Sequence, residues 1–214
     1  MNKYILALTL VLSFISSSAN ATLIDDFSDG SMHLLADTSD VYQTSSSAFG
    51  GGRTVSIIKQ GYNAKVDIIS ALGFYAHSTN ALTSATSTIS WDSTVGIDLI
   101  ESVNNSVFAL DILSNDQANS NFVLSVTDNT ANQASFTLFG ATEGIQNIAF
   151  SSFSGINFHE ITNISLEIVG GLESDLVINS LSTSVGQVSA VPTPAALILF
   201  TSSLAILSIS RRKQ

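Results

Sequence analysis

No cysteine occurs in the chain, which excludes disulfides and thiolate metal sites. A folded domain here must stand on core packing alone. Basic residues are scarce: seven in 214 positions, against 17 acidic ones. Four of the seven lie at the extreme ends, namely Lys3, Arg211, Arg212 and Lys213. The segment between the tails keeps Arg53, Lys59 and Lys65 against all 17 acids, a net charge of −14. Phosphate backbones and anionic lipid head groups repel such a surface, so no nucleic-acid partner is expected. Proline occurs only at Pro192 and Pro194, just before the last apolar run.

Two apolar runs bracket the acidic segment. Residues 1–21 read MNKYILALTLVLSFISSSANA, with Lys3 before the run and Ala19-Asn20-Ala21 after it. A positive start, a short apolar stretch and a small-x-small site are the pattern of a secretion signal cut by signal peptidase. Ala19 and Ala21 are the expected cleavage-site residues, with a mature chain starting at Thr22. At the other end, residues 195–210 form an apolar stretch followed by Arg211, Arg212 and Lys213. As a helix it would span about 24 Å, a little short of a ~30 Å hydrocarbon core. The basic cluster would hold its end on the cytoplasmic side.

The order of a Val191-Pro192-Thr193-Pro194 box, an apolar helix and a basic terminus resembles the PEP-CTERM sorting signal. That resemblance implies an exosortase-like membrane protease that recognises and removes the tail. It also implies an association with exopolysaccharide and a secreted or cell-surface location after transient membrane tethering. The family usually has Glu where this chain has Thr193, so the box is similar to a VPTPA-type variant.

Residues 22–190 contain short apolar segments parted by Ser, Asn, Asp and Gly clusters, the pattern of an all-β sandwich. Strands are predicted at 54–58, 66–70, 86–91, 107–113, 122–127, 134–139, 145–150, 161–169 and 176–182. Asp128 to Gln133 is the expected loop of a hairpin. Eight or nine strands fit a jelly roll. The opening Ile24-Asp25-Asp26-Phe27, the Gly50-Gly51-Gly52-Arg53 run and the closing Asp175-Leu176-Val177-Ile178 resemble galactose-binding-like and carbohydrate-binding jelly rolls. The resemblance implies that an opening strand pairs near the closing one.

Chemistry-bearing motifs are sparse. The glycine run is followed by a predicted strand, not a helix, so it is read as a turn whose Arg53 pairs with a carboxylate. His33, His77 and His159 are scattered and lack zinc-ligand spacing. Asp25-Asp26, Asp111, Asp116, Asp128 and Glu143 could supply a hydrolase carboxylate pair, but nothing in the sequence selects one. A structural calcium is the option open to Asp25, Asp26 or Asp29 with Asp175, while no other cofactor is expected. Trp91, Tyr42, Tyr62 and Tyr75 are the candidate sugar-stacking aromatics, with a core role the alternative for Trp91. The other phenylalanines are read as core. The expectation is a non-catalytic surface or biofilm-matrix protein that binds polysaccharide. A secreted polysaccharide hydrolase and a purely structural surface protein are the alternatives.

Overall fold

A computed structural model describes residues 21–35, 41–45, 48–60, 64–100, 106–117 and 120–185. The expected cleavage residue Ala19, the proline box, the terminal helix and its basic cluster lie outside the described residues, and so does Tyr62. Among the described residues no helix is long and apolar enough to cross a membrane.

The described chain is all-β, with two antiparallel sheets forming a sandwich. The strands are β1 (Leu23–Asp25), β2 (Met32–Leu35), β3 (Val41–Thr44), β4 (Gly52–Gln60), β5 (Lys65–Ile69), β6 (Phe74–Ser78) and β7 (Ser84–Ile97). They continue with β8 (Ser106–Asn115), β9 (Asn121–Asp128), β10 (Gln133–Phe139), β11 (Gly144–Ala149), β12 (Ile161–Gly170) and β13 (Asp175–Val185). One sheet runs β11-β8-β13-β6-β5-β2, with β1 also on β13; the other runs β10-β9-β12-β7-β4-β3.

All nine predicted strands are present, but thirteen strands form among the described residues, where eight or nine were expected. The additional ones are short. β1, β2 and β3 have three or four residues each, too few for alternation to show, and β6 carries His77 on its inward side. The predicted strand at 145–150 ends at Ala149, where a 3-10 turn begins at Phe150. Leu23 stands opposite Ser182 and Asp25 opposite Leu181, so the first strand pairs with the last, as the resemblance implied. The hairpin at 128–133 also forms, with Gln133 opposite Thr127 and Phe139 opposite Asn121.

Alternation drives the packing. Phe122, Leu124 and Val126 of β9 and Ile164, Leu166 and Ile168 of β12 are buried, and the residues between them face outward. Each such side chain contributes roughly 1.5–3 kcal/mol by leaving water. Four phenylalanines close part of the core. Phe150 stacks on Phe158 at 4.0 Å and packs against Phe108 at 4.7 Å, and Phe153 meets Phe108 edge-on at 5.6 Å. Phe139 departs from the expected core role: its odd register on β10 points it outward, and it is 73% exposed.

Candidate functional site

The outer face of the six-stranded sheet has an unusual composition that follows from its registers. Thr54, Ser90, Ser165, Ser125 and Ser135 stand opposite one another on five successive strands, making one row of hydroxyls across the sheet. Tyr42 on β3 pairs with Thr54 and extends the row to the sheet edge. The next row holds Ser56, Thr88, Glu167, Val123 and Thr137. Neighbouring strands lie about 4.8 Å apart, and same-face residues along a strand recur at about 6.6 Å. The result is a regular two-dimensional array, mostly of serine and threonine hydroxyls, interrupted by Val123 and Glu167.

Hydrogen bonds organise the array. Ser125 and Ser135 hydroxyls are 2.9 Å apart. Asn163 Nδ2 donates to Ser90 Oγ at 2.8 Å and to Asp92 Oδ1 at 2.7 Å. Asp92 and Glu167 are the only charged side chains in these rows and beside them, although the domain carries −14. At one end of the face Ile58, Ser84, Ala85, Thr86, Val169 and Gly170 line an open hollow of about 300 Å³. Tyr42, 66% exposed, stands at the opposite corner, its ring covering the Cα of Gly52 so closely that a side chain there would meet its hydroxyl at 2.3 Å.

Of the four aromatic candidates, Tyr42 alone is exposed among the described residues. Trp91 has no exposure, and its indole N–H donates to Asp25 Oδ2 at 2.8 Å. Tyr75 is also fully buried, and its hydroxyl donates to Ser87 Oγ at 2.7 Å; burial raises its pKa above the ordinary phenol value. Both fall on inward strand positions, so neither can stack on a ligand.

Arg53 finds its carboxylate, as the sequence indicated. Its Nη1 donates to both oxygens of Asp25, at 2.8 and 2.7 Å, and its Nη2 donates to the carbonyl oxygens of Asp29 and Gly30. Arg53 Cζ lies 5.5 Å from the centre of the Phe27 ring, and the Phe27 N–H donates to Asp25 Oδ1 at 2.8 Å. This network holds Phe27 at φ 53°, a left-handed conformation that costs a bulky residue roughly 1–3 kcal/mol.

The same pairing sets Asp25 apart from Asp175, two of the acids named for a structural calcium. Both Asp25 oxygens face Arg53, and Asp25 stands opposite Leu181, six residues along β13 from Asp175. At ~3.3 Å per residue the two carboxylates are far apart. Asp175 accepts instead from the Ser78 hydroxyl at 2.5 Å. Among the described residues no group of three or more His, Asp or Glu side chains is placed to hold a metal ion.

The other acids serve the framework. Asp111 accepts from Asn179 Nδ2 at 2.8 Å, and Asp116 accepts from the Asp175 N–H at 2.7 Å. Asp128 is buried in the β9–β10 turn. Burial pushes its carboxyl up, but hydrogen bonds from Thr130, Asn132 and the Asn157 N–H outweigh that and hold it well below the usual carboxylate range. Asp98 is lowered too, chiefly by its hydrogen bond with His159. A glycosidase general acid needs a carboxyl raised toward neutrality, and these two move the opposite way.

The three histidines lie apart. His33 pairs with Asp67 on the surface, and His159 Nδ1 is 2.9 Å from Asp98. His77 is buried, its Nδ1 2.8 Å from Ser87 Oγ and its Nε2 without a partner among the described residues. Sequence spacing had not joined Ser87, His77 and Tyr75, since only the stacking of two sheets brings β6 against β7. The Ser87–His77 contact resembles a nucleophile and its base, yet Ser87 has no exposure and no substrate can reach it.

No family model and no curated relative matches the sequence. Several solved structures are similar at low identity. A family 11 carbohydrate-binding module from Clostridium thermocellum, solved with a β-1,3-1,4-mixed-linked tetrasaccharide, is 13% identical over 79% of this chain and 98% of that one, TM-score 0.38. A family 30 carbohydrate-binding module is 10% identical over 81% of this chain and 92% of that one, TM-score 0.39. An exo-β-agarase is 11% identical over 76% of this chain, TM-score 0.42. This chain spans 24% and 25% of the length of the agarases it matches. All these likenesses have TM-scores below 0.5, and the sugars belong to those proteins.

Proposed function

We propose that this chain is an exported, non-catalytic surface or matrix protein whose sandwich binds a neutral polysaccharide along the outer face of the six-stranded sheet. The observation that carries the reading is the array of hydroxyl and amide side chains on that face, with exposed Tyr42 at its corner and only Asp92 and Glu167 charged. Sugars offer hydroxyls that exchange hydrogen bonds with such groups and an apolar ring face that stacks on a tyrosine. A chain polymer lying across strands would meet the same groups at each step. The acidity of the domain favours an uncharged glycan over an anionic one.

The sequence ends supply the setting. A secretion signal with Ala19 and Ala21 at its cleavage site would export the chain. The Val191-Pro192-Thr193-Pro194 box with Arg211, Arg212 and Lys213 would present its tail to an exosortase-like protease. The membrane is then a transient partner only.

Affinity electrophoresis of the exported protein through gels containing a neutral β-glucan, a galactan or an anionic polysaccharide tests the binding. Retardation by a neutral polymer is expected; migration unchanged by every neutral glycan would overturn it. Intact-mass spectrometry of the extracellular protein tests the processing. A mass that still includes Arg211 to Gln214 would exclude tail removal.

A further inference from the structure

At the flank where both sheets end on long strands, the main-chain edge plays no part in the proposed glycan binding, which uses outward side chains, Ser135 and Thr137 of β10 among them. Among the described residues, β10 is the last strand of the six-stranded sheet, and β11 is the last of the seven-stranded one. The edges at the other side are four residues long, Met32–Leu35 and Val41–Thr44. β10 has seven residues in unbroken register with β9. Its sequence, QASFTLF, contains none of the devices that blunt an edge: no charge, no proline and no bulge.

Its main-chain groups have a definite outward set. The Asp128 N–H donates to the Asn132 carbonyl at 3.0 Å, which fixes the phase of the ladder. Alternation then turns Ala134, Phe136 and Leu138 toward β9. It leaves the N–H and C=O groups of Gln133, Ser135, Thr137 and Phe139 facing away from the sheet.

Charge selects the partner. From Asn129 to His159, Glu143 is the only acidic or basic side chain apart from the histidine itself, in a domain of net −14. Two copies of so acidic a body repel one another over most of their surface and least along this flank. The strand is also compatible with itself. Antiparallel pairing about Phe136 sets Ser135 against Thr137 and Gln133 against Phe139 of the second copy, so every outward group is matched across all seven residues.

We propose that two copies of this chain associate through antiparallel β10–β10 pairing with a two-fold axis at Phe136, joining their six-stranded sheets into one continuous sheet. The exposed Phe139 ring then stands beside Gln133 of the second copy on the same sheet face. The inference rests on the strand and its charge pattern, and it holds whether or not the face binds glycan.

The lack of native cysteine makes the test direct. Exported chains carrying Ser135→Cys or Thr137→Cys are purified separately and oxidised alone or mixed. Opposed residues of a paired ladder sit at Cα distances of about 5.5 Å, within disulfide reach. The mixture is expected to yield a disulfide dimer several-fold faster than either variant alone, and faster than Tyr42→Cys mixed with Thr44→Cys on the short β3 edge. Equal rates in all samples would overturn the proposal. In sedimentation, the wild-type protein is expected to be a dimer and Thr137→Lys a monomer with unchanged Trp91 emission. A monomeric wild type, or a dimeric and folded Thr137→Lys, would also overturn it.

Discussion

Arg53 and Asp25 meet where no water reaches: both side chains have no exposure, and Nη1 lies 2.8 and 2.7 Å from the two carboxylate oxygens. One comes from the start of β4 and the other from β1, so the pair ties the two sheets together. Trp91 and the Phe27 N–H complete the carboxylate's hydrogen bonds. Removing the arginine strands a buried anion. Arg53→Met is expected to lower unfolding stability by roughly 3–5 kcal/mol. Asp25→Leu combined with Arg53→Met should cost less than the two single changes summed, because no charge is left alone. Urea unfolding followed by Trp91 fluorescence measures both. An additive double variant would show that the pair is not coupled.

His77 predicts a pH dependence near neutrality. Burial brings its pKa down to about 4, and the neighbouring Asp175 charge offsets this only in part. The unfolded chain therefore takes up the proton first as pH falls. Stability from the neutral ring is complete above about pH 6.5 and declines toward pH 4 by roughly 3 kcal/mol. His77→Gln is expected to flatten urea midpoints across that window. Below it, Asp98 and Asp128 continue the loss, since both are lowered in the fold and their stabilisation vanishes as they protonate.

Two glycines are required by space. At Gly50, φ is +69°, and an added Cβ would lie 1.9 Å from the Asp92 carbonyl oxygen, so Gly50→Ala must displace β7. At Gly170, an added Cβ would lie 2.5 Å from His77 Nε2. Gly170→Ala is expected to cost roughly 1–3 kcal/mol through overpacking. His77→Ala should recover part of that cost in the double variant, because it removes the ring that collides. Thermal melts of the four proteins decide it.

Tyr42→Ala tests the glycan face without touching the core, since the side chain is 66% exposed. A loss of about tenfold in affinity for a retained neutral glycan is expected, equivalent to roughly 1.4 kcal/mol. The melting temperature should be unchanged. Tyr42→Phe should retain most of the binding if ring stacking dominates.

The strands that could be read from the sequence were the long ones. Phe122, Leu124 and Val126 alternate with Val123, Ser125 and Thr127 over enough residues to declare both the period and the inward side. β1 to β3 were obscured because three or four residues carry too little pattern, and β6 because a buried histidine reads as polar. Arg53 could be assigned a carboxylate partner from its scarcity among acids. That the partner is Asp25, 28 positions earlier, was not legible, nor that Trp91 is spent on the same carboxylate.

The sequence by itself determined the all-β character, the acidic and cysteine-free domain, and which residues of each long strand turn inward, because these follow from composition and a two-residue period. Only the tertiary structure decided which strands are neighbours. Strand order comes from pairings between residues far apart in the chain, so it alone aligned the hydroxyl row from Thr54 to Ser135, buried Trp91 and Tyr75, and left Tyr42 and the β10 edge facing water.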